Sequence, residues 1–533
     1  MIALPDWLTP LPDAETMRAV DRWAIEEQGV DGLELMERAA AGVTRAVERL
    51  CADGPATVVC GKGNNGGDGL AVARLLREAG RQVRVVSTVA LNQFEGDALT
   101  NLKRLPGSAP VRLDGSSWQD EAGAQPGVGD PFAGAAVIVD ALLGTGFEGE
   151  PRGPVAEAIE AIDRSPAPVV SVDVPSGVDA STGMVRGAAV SAAVTVTFHA
   201  PKPGLWIRPG KAHAGEVVSI DIGIPRGAPM VASIGLMDPS ILWKLPRREA
   251  SGTKFVSGHV LVVGGSRGLT GAPTMAARAS MRTGAGYVTG CVGASLQAIL
   301  ANGGTPELMT IALPEEEEGA LAVEGVSVVI DAAGRGGALA LGPGLGRSDG
   351  AFAFARRLAR EADMPMVLDA DGLNAHTGRL RQLKGRQAPT VLTPHAGELA
   401  RLLELESAEI ERARLEHVRR AAEMAEAVVV LKGDDTLIAN PEGLVAVSPG
   451  GSPALATAGT GDVLTGVIAA LLAQGLESFR AAAAGVWLHA EAGREAARRL
   501  GVAEGVIASD VIEAIPSARG RASAAEIEAD GDG

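Results

Sequence analysis

The stretch Ala456-Thr-Ala-Gly-Thr-Gly-Asp462, followed by the apolar run Val463 to Leu472, puts small residues and then an acid at the start of a predicted helix. Helix N-termini present unpaired N–H groups and the positive end of the dipole, so side chains this small let several amides converge on a phosphate. Asp462 lies inside that seat. The amides are expected to keep it ionised and placed to take a proton from a hydroxyl meeting a phosphoryl group. An aspartate that caps a helix after a flexible loop has the same pattern. Upstream, the predicted strand Val428 to Leu431 ends in Lys432-Gly-Asp-Asp-Thr436. A cation and a hydroxyl beside a glycine suit a nucleotide, and equally a solvated turn.

Other polar groups in this half recur at the ends of apolar runs. Val260 to Val263 leads into Gly264-Gly-Ser-Arg-Gly-Leu-Thr-Gly271, Ala338 to Leu341 into Gly342-Pro-Gly-Leu-Gly346, and Met366-Val-Leu into Asp369-Ala-Asp-Gly-Leu-Asn374. Val391-Leu-Thr-Pro ends at His395, just before a helix-like segment. His395 reads as a helix cap or as a ligand-facing group. Asp369 and Asp371 could bind a metal, cap a turn, or do neither.

The first half repeats the theme. Ala56 to Cys60 reads as a buried strand, Gly61-Lys-Gly-Asn-Asn-Gly-Gly-Asp-Gly69 as a glycine loop, Leu70 to Ala79 as a helix and Gln82 to Ser87 as a second strand. Gly61, Gly63 and Gly66 satisfy the dinucleotide fingerprint, but no acid stands at the end of the second strand to hold a ribose. Asn64, Asn65 and Asp68 instead offer oxygens for a ribose, an amide or a hard cation. Val137-Ile-Val-Asp140 and Val169-Val-Ser-Val-Asp173 each end in an aspartate before a glycine-bearing turn, the second continuing to Ser176-Gly177. Ligands bind at such strand ends in open α/β sheets, so Asn65, Asp68, Asp140, Asp173 and Ser176 are predicted to share a cleft. His199 and Lys202 are read as structural.

These groups need elements to hold them, and the 533 residues suffice for two large domains. Hydrophobic residues at 46%, 70 glycines and 3% aromatics fit an α/β enzyme with many turns between buried strands. A formal charge of −17 argues against nucleic-acid and anionic-membrane surfaces. Cys51, Cys60 and Cys291 are too scattered for a disulfide framework or a zinc site, and neither a signal peptide nor an apolar run long enough to span a bilayer is evident. A cytoplasmic homo-oligomer is expected. The predicted divisions are a first domain over 1–228, a Pro-rich connection over 229–250, a second domain over 251–518 and a disordered tail over 519–533.

Residues 10–225 resemble the NAD(P)H-hydrate epimerase (YjeF N-terminal) family through Gly63-Asn-Asn-Gly-Gly-Asp-Gly69, Asp140-Ala-Leu-Leu-Gly-Thr-Gly146, Asp173-Val-Pro-Ser-Gly177 and Phe198-His-Ala-Pro-Lys-Pro-Gly204. The resemblance implies a Rossmann-like three-layer fold. Its substrate contacts would be Asn64, Asn65, Gly66, Gly67 and Asp68, the turn Gly144, Thr145, Gly146, Phe147, Glu148, Gly149 and Glu150, and Asp173. Asn65, Asp140 and Ser176 would hold potassium, and Asp173 is the candidate proton-transfer group.

Residues 245–518 resemble the ADP-dependent NAD(P)H-hydrate dehydratase family through the turns at 342–346, 369–374 and 393–398, Lys432-Gly433 and Gly459-Thr-Gly-Asp462. A ribokinase-like α/β fold is implied. Ala272, Gly344, His395 and Asp462 would line the hydrate site, and Lys432, Gly433, Asp434, Asp435, Thr436 and Gly461 the nucleotide site. Ser452 and Leu455 stand where many members have Asn and Met.

The expected activity is therefore nicotinamide-nucleotide repair. The first domain would interconvert R- and S-NADHX or NADPHX, the hydrates of NADH and NADPH, and the second would dehydrate the S form with ADP and Mg2+. The competing expectation is a ribokinase-like small-molecule kinase fused to a nucleotide-binding, non-catalytic first module.

Overall fold

The computed structural model describes residues 4–114, 117–119, 132–303, 305–316, 319–333 and 337–531. The chain forms two compact units, one of Met1–Leu4 with Pro10–Gly235, the other of Pro5–Thr9 with Leu236–Gly533.

The first short strand, β1 (Leu8–Pro10), belongs to the sheet of the second unit. The first unit carries β2 (Ala56–Cys60), β3 (Val83–Ser87), β4 (Val111–Asp114), β5 (Ser117–Gln119), β6 (Val137–Ala141), β7 (Val169–Val172), β8 (Val194–Phe198) and β9 (Glu216–Ile220). They form an eight-stranded sheet in the order β5-β4-β3-β2-β6-β7-β8-β9. Every pairing is parallel except β4 with β5. The central strands β2, β6, β7 and β8 are buried along their whole length, which is why they read as continuous apolar runs. Helices α1 (Gly32–Leu50) and α2 (Asn64–Glu78) pack together over this sheet. The chain leaves β2 toward β3 on one side and reaches β6 on the other, so the loops after β2 and β6 flank a crevice where strand order reverses.

The second sheet has eleven strands in the order β1-β10-β19-β18-β17-β16-β15-β14-β11-β12-β13. These are β10 (Ile234–Met237), β11 (His259–Val263), β12 (Tyr287–Gly293), β13 (Met309–Leu313), β14 (Ala338–Leu341), β15 (Met366–Leu368), β16 (Thr390–Leu392), β17 (Val428–Leu431), β18 (Leu437–Ala439) and β19 (Val445–Val447). From β17 to β13 the pairs are parallel, whereas β18 and β19 return antiparallel. Its helices include α3 (Gly271–Thr283), α4 (Ala396–Leu403), α5 (Arg414–Ala425), α6 (Thr460–Ala473), α7 (Ser478–Leu500) and α8 (Ala508–Gly531). Helix α6 is almost wholly apolar and buried, lying across β11, β14 and β15 and against α3.

Three of the predicted boundaries differ from this arrangement. Residues 5–9 were expected with the first domain, but β1 pairs beside β10 at the edge of the second sheet. The stretch 229–250 was expected as plain connection. It contains β10 and a short 3-10 turn at Pro239–Leu242, because Ile-Gly-Leu-Met gains its order from cross-strand partners rather than from local propensity. The tail from 519 was expected to be disordered, yet α8 continues to Gly531 through an Ala- and Glu-rich run with good helix propensity. The last two residues, 532–533, lie outside the described part.

The contact between α3 and α6 depends on Gly466, where a Cβ would collide with the Ala276 carbonyl oxygen. Gly466→Ala should therefore destabilise the fold by about 2 kcal/mol despite alanine's higher helix propensity. Urea unfolding of the full chain would measure this, and an unchanged midpoint would contradict the packing.

Candidate functional site

In the first unit the predicted residues converge. Helix α2 begins at Asn64 with Gly63 as an N-cap that supplies no side chain, so the first amides of α2 face outward. Glycine is required at Gly66, where a Cβ would run into the Gly61 carbonyl. A cavity of about 900 Å3 opens over this loop, lined by Asn64, Asn65, Asp68, the turn Gly144 to Glu148, and Asp173. Gly66, Gly67, Gly149 and Glu150 do not line it.

Asp173 is held from several directions. Its carboxylate accepts from Lys202 Nζ at 2.6 Å and Thr197 Oγ1 at 3.2 Å, and from the backbone N–H of Thr145 at 3.3 Å. A very short contact with Thr145 Oγ1 completes the set. Burial pushes the Asp173 carboxyl up, but Lys202 and these donors outweigh it and hold it below the usual range. Asp173 also has a positive φ of 68°, strain that such a partner set can maintain. Asp68 behaves oppositely. Burial, with the nearby Asp173 and Asp21, pushes its carboxyl well up, so a carboxyl held down stands beside one pushed up.

Lys202 is a functional residue the sequence reading missed. Its side chain is 2% exposed, and Nζ donates to Asp173, to Thr197 Oγ1 at 2.8 Å and to the Phe198 carbonyl at 3.1 Å. The signal available was a lysine between two prolines, Pro201 and Pro203, immediately after a buried strand. His199 lies behind it, its pKa lowered by burial and by Lys202.

Asp140, Ser176 and Asn65 sit on the neighbouring strand ends. Asp140 is fully buried and bonded only to neutral donors: Ser176 Oγ at 2.6 Å, Ser171 Oγ at 2.8 Å, and the N–H groups of Ser176 at 2.9 Å and Leu142 at 3.3 Å. Burial raises its pKa, and no basic group offsets the charge. Asn65 donates from Nδ2 to the Leu143 carbonyl at 2.9 Å, and Gly144 packs against its Oδ1 side. The donors are all oxygens with one uncompensated buried carboxylate, a set that suits a hard monovalent cation. Among the described residues no group of three His, Cys, Asp or Glu side chains could hold a metal ion.

In the second unit the strand ends of β15, β16 and β17 are joined through Asp369. Its Oδ1 accepts from Thr393 Oγ1 at 2.8 Å and Lys432 Nζ at 3.0 Å, and its Oδ2 from Thr465 Oγ1 of α6 at 2.7 Å. Lys432 lies 3.7 Å from Glu398 Oε2, and a Cβ on Gly461 would lie 3.7 Å from its Nζ, so lysine and helix start do meet. Burial would lower the Lys432 pKa, but Asp369 and Glu398 raise it. Helix α6 has Gly459 as its N-cap, with a φ of 88° and no capping side chain, which leaves its first amides pointing into the site.

Asp462, in that first turn, corrects one expectation. Burial and the facing carboxylates of Asp369, Asp371 and Glu398 outweigh Lys432 and push its pKa up to about 7. The amides do not keep it fully ionised, because burial and three acids from other segments act against them. A carboxyl with that pKa is matched to accept a proton near neutral pH.

His395 caps α4. Its Nδ1 accepts from the Gly397 N–H at 3.0 Å while Glu398 Oε2 accepts from the His395 N–H at 2.9 Å. This bonding assigns the ring proton to Nε2, which lies 3.6 Å from Glu398 Oε2, and burial lowers the pKa. A Cβ on Gly344 would lie 3.2 Å from the Ala272 Cβ, which brings those two predicted residues together. Asp371 pairs with Arg347 at 2.9 Å and accepts from the Gly346 N–H at 3.1 Å. Beneath the Lys432 to Thr436 loop, Arg414 and Asp435 form a fully buried pair at 3.0 Å, and Arg414 also donates to the Lys432 carbonyl at 3.3 Å. The Asp435 side chain thus faces the scaffold. Thr436 Oγ1 accepts from the Gly433 N–H at 3.1 Å.

A parallel sheet with an uncapped glycine helix start, a half-buried lysine and an elevated carboxyl defines a nucleotide-binding α/β enzyme, here alongside a second, oxygen-lined small-molecule cleft. The sequence model described as NAD(P)H-hydrate dehydratase matches residues 260–517, and that of the YjeF-related protein N-terminus matches 32–204. A bifunctional NAD(P)H-hydrate repair enzyme of Moorella thermoacetica is 41% identical over 515 residues, spanning 95% of this chain and 96% of its own. One from Salinibacter ruber is 40% identical over 527 residues, with 95% of each chain covered. Among solved structures, the ADP/ATP-dependent NAD(P)H-hydrate dehydratase of Bacillus subtilis, co-crystallised with ATP and Mg2+, is 28% identical, with a TM-score of 0.46 over 53% of this chain and 96% of its own. The chain belongs to the bifunctional NAD(P)H-hydrate repair enzymes.

The Lys202 to Asp173 pair makes a stability prediction. A depressed carboxyl contributes stability above its unfolded pKa, near 3.8, and loses it as pH falls through the lower folded value. Removing the cation in Lys202→Met leaves a buried charge and should cost about 3 kcal/mol at pH 7. The deficit should narrow as pH falls from the unfolded value near 3.8 through the lower folded value of Asp173, where the parent protein loses this contribution. Urea titrations of both proteins at a series of pH values would show it, and a constant gap would count against the pairing.

Proposed function

We propose that the second unit dehydrates S-NADHX and S-NADPHX with ADP, and that Asp462 is its general base. The observation that carries this reading is the placement of an aspartate with a pKa of about 7 in the first turn of an uncapped helix, beside Lys432. Asp462 accepts the proton of the ring hydroxyl as that oxygen attacks the terminal phosphorus of ADP and AMP leaves. The amides of Gly459 to Gly461 and the Lys432 ammonium stabilise the charge on the transferring group. The ring nitrogen then expels the phosphate together with the ring oxygen, and loss of the proton on the adjacent ring carbon reforms the double bond, giving NAD(P)H, AMP, phosphate and a proton. The nucleotide carries its Mg2+ mainly on its own phosphates and water, which fits a site rich in backbone donors. Gly433, Asp434, Thr436 and Gly461 form the nucleotide side, with Asp435 acting through Arg414. Ala272, Gly344 and His395 form the hydrate side.

In the first unit we assign epimerisation to the cleft around Asp173. The configuration at the hydroxylated ring carbon changes if its C–O bond breaks and water returns to the other face. Asp68, whose carboxyl burial and like charge push up, is assigned as the proton donor to the departing hydroxyl, and the ionised Asp173 stands against the ring cation that forms. Asn64, Asn65 and the Gly144 to Glu148 part of the turn bind the dinucleotide. Asn65, Asp140 and Ser176 are the groups that would hold a potassium ion, whose fixed positive charge would offset the Asp140 carboxylate. We place the protein in the cytoplasm, a reading supported by the free thiols Cys51, Cys60 and Cys291.

The decisive experiment is product analysis. S-NADHX incubated with ADP and the full chain should yield NADH absorbance with stoichiometric AMP; a stable phosphate ester would establish a kinase instead. Asp462→Asn should lower dehydration by about 10³-fold and leave R-to-S conversion unchanged. Equal loss of both would contradict two separate sites. Because Asp462 must be ionised to act, kcat/KM for dehydration should rise with pH through about 7, and a flat profile from pH 5 to 9 would remove it as the base.

A further inference from the structure

The second unit contains a large cavity that neither reaction uses. About 920 Å3 of space opens where the chain enters β11 and β12, lined by residues just before each strand and by the later part of α8. The Gly264 and Gly342 turns lie at the other end of the sheet, about 15 Å away along a five-residue strand. It is therefore distinct from the nucleotide site around Lys432 and Asp462.

Its walls are strongly basic in a chain whose formal charge is −17. Five cationic side chains line it, Arg247, Arg248, Lys254, Arg282 and Arg519, against a single acid, Glu249. Two of the guanidiniums are pinned by backbone. Arg519 donates to the carbonyls of Thr283 and Pro246, and Arg248 Nη2 donates to the Ala285 carbonyl at 3.1 Å and more weakly to that of Gly284 at 3.4 Å. Both are thereby fixed on the same turn. Burial lowers the Arg519 pKa, and the adjacent Arg248 and Arg247 lower it further. Lys254 is exposed and lies over the rings of Phe255 and Tyr287, at 5.4 and 5.8 Å. Arg282 pairs with Glu513 at 2.5 Å.

Like charges held together on rigid backbone and set into a concave wall are costly until an anion arrives. The planar guanidiniums suit phosphoryl oxygens, and the hydroxyls of Ser251 and Thr253 add neutral donors at the rim. A lone phosphate would fill little of this volume. We propose that this cavity is a second ligand site, for a small molecule bearing a diphosphate group. The same chemistry is found in free pyrophosphate and in a nucleoside diphosphate.

Calorimetric titration of the full chain, without Mg2+, would use inorganic pyrophosphate and ADP as separate probes. Arg248→Gln combined with Lys254→Gln should lose one binding event seen in the parent protein, or weaken it about tenfold or more. Its melting temperature and the ADP binding event at the Lys432 loop should be unchanged. A lost pyrophosphate event alone assigns the site to the inorganic ion, and a lost second ADP event assigns it to nucleoside diphosphates; either supports the proposal. Identical isotherms for parent and variant with both probes would overturn it. If the double variant melts early, the single Lys254→Gln, which removes no backbone contact, should still weaken the same event, and unchanged binding there would also overturn the site.

Discussion

Each unit depends on a lysine held against an aspartate at the carboxyl end of a parallel sheet. In the second unit Asp369 gathers Thr393, Lys432 and Thr465, so one carboxylate ties the ends of three strands to the first turns of α6. In the first unit Lys202 ties the end of β8 to Asp173, which in turn holds Thr145 of the loop after β6. A charge removed from water is tolerable only when its partner is fixed at hydrogen-bond distance and its remaining lone pairs are filled. That requirement sets the register of the surrounding turns. Cutting either pair would release a loop as well as a charge.

The two pairs leave their neighbours in different ionisation states. Lys202 is held by Asp173, so burial and like charge push up the carboxyl sharing that cleft, Asp68. Lys432 is likewise drawn to Asp369, which leaves Asp462 facing more acid than base. The result in both places is one fixed anion beside one carboxyl that can exchange a proton. Desolvation supplies the shift, and the position of a single ammonium decides which acid receives it.

Much of this was legible locally. The apolar runs ending in Asp140, Asp173, Asp369 and Lys432 appear as strands whose ends meet, and the Gly459 to Asp462 start appears as an uncapped helix. Those features are written within a few residues, where side-chain size and backbone freedom act directly. What stayed hidden was pairing across distance. Lys202 and Asp173 are 29 residues apart, Arg414 and Asp435 are 21 apart, and nothing near either basic residue announces its partner. The edge strand β1 drew on partners more than 200 residues away, and its three residues carry almost no pattern of their own.

The expectation for Asp462 failed for the same reason, and the failure is informative. Amides at a helix start favour an anion, which argues for an ionised aspartate if the helix is considered alone. In the folded chain burial is the largest cause of the upward shift, and opposing carboxylates from Asp369, Asp371 and Glu398, on segments 64 to 93 residues earlier, add to it against the single lysine. The outcome serves the chemistry better than the expectation did. A fully ionised acid with an ordinary pKa would be a weak acceptor for a hydroxyl proton, whereas a carboxyl poised near 7 binds that proton more tightly. On the proposed reading, an arriving nucleotide adds further negative charge to the same space, so proton affinity at Asp462 would rise as the phosphoryl donor takes its seat, and base strength would be coupled to the presence of the co-substrate.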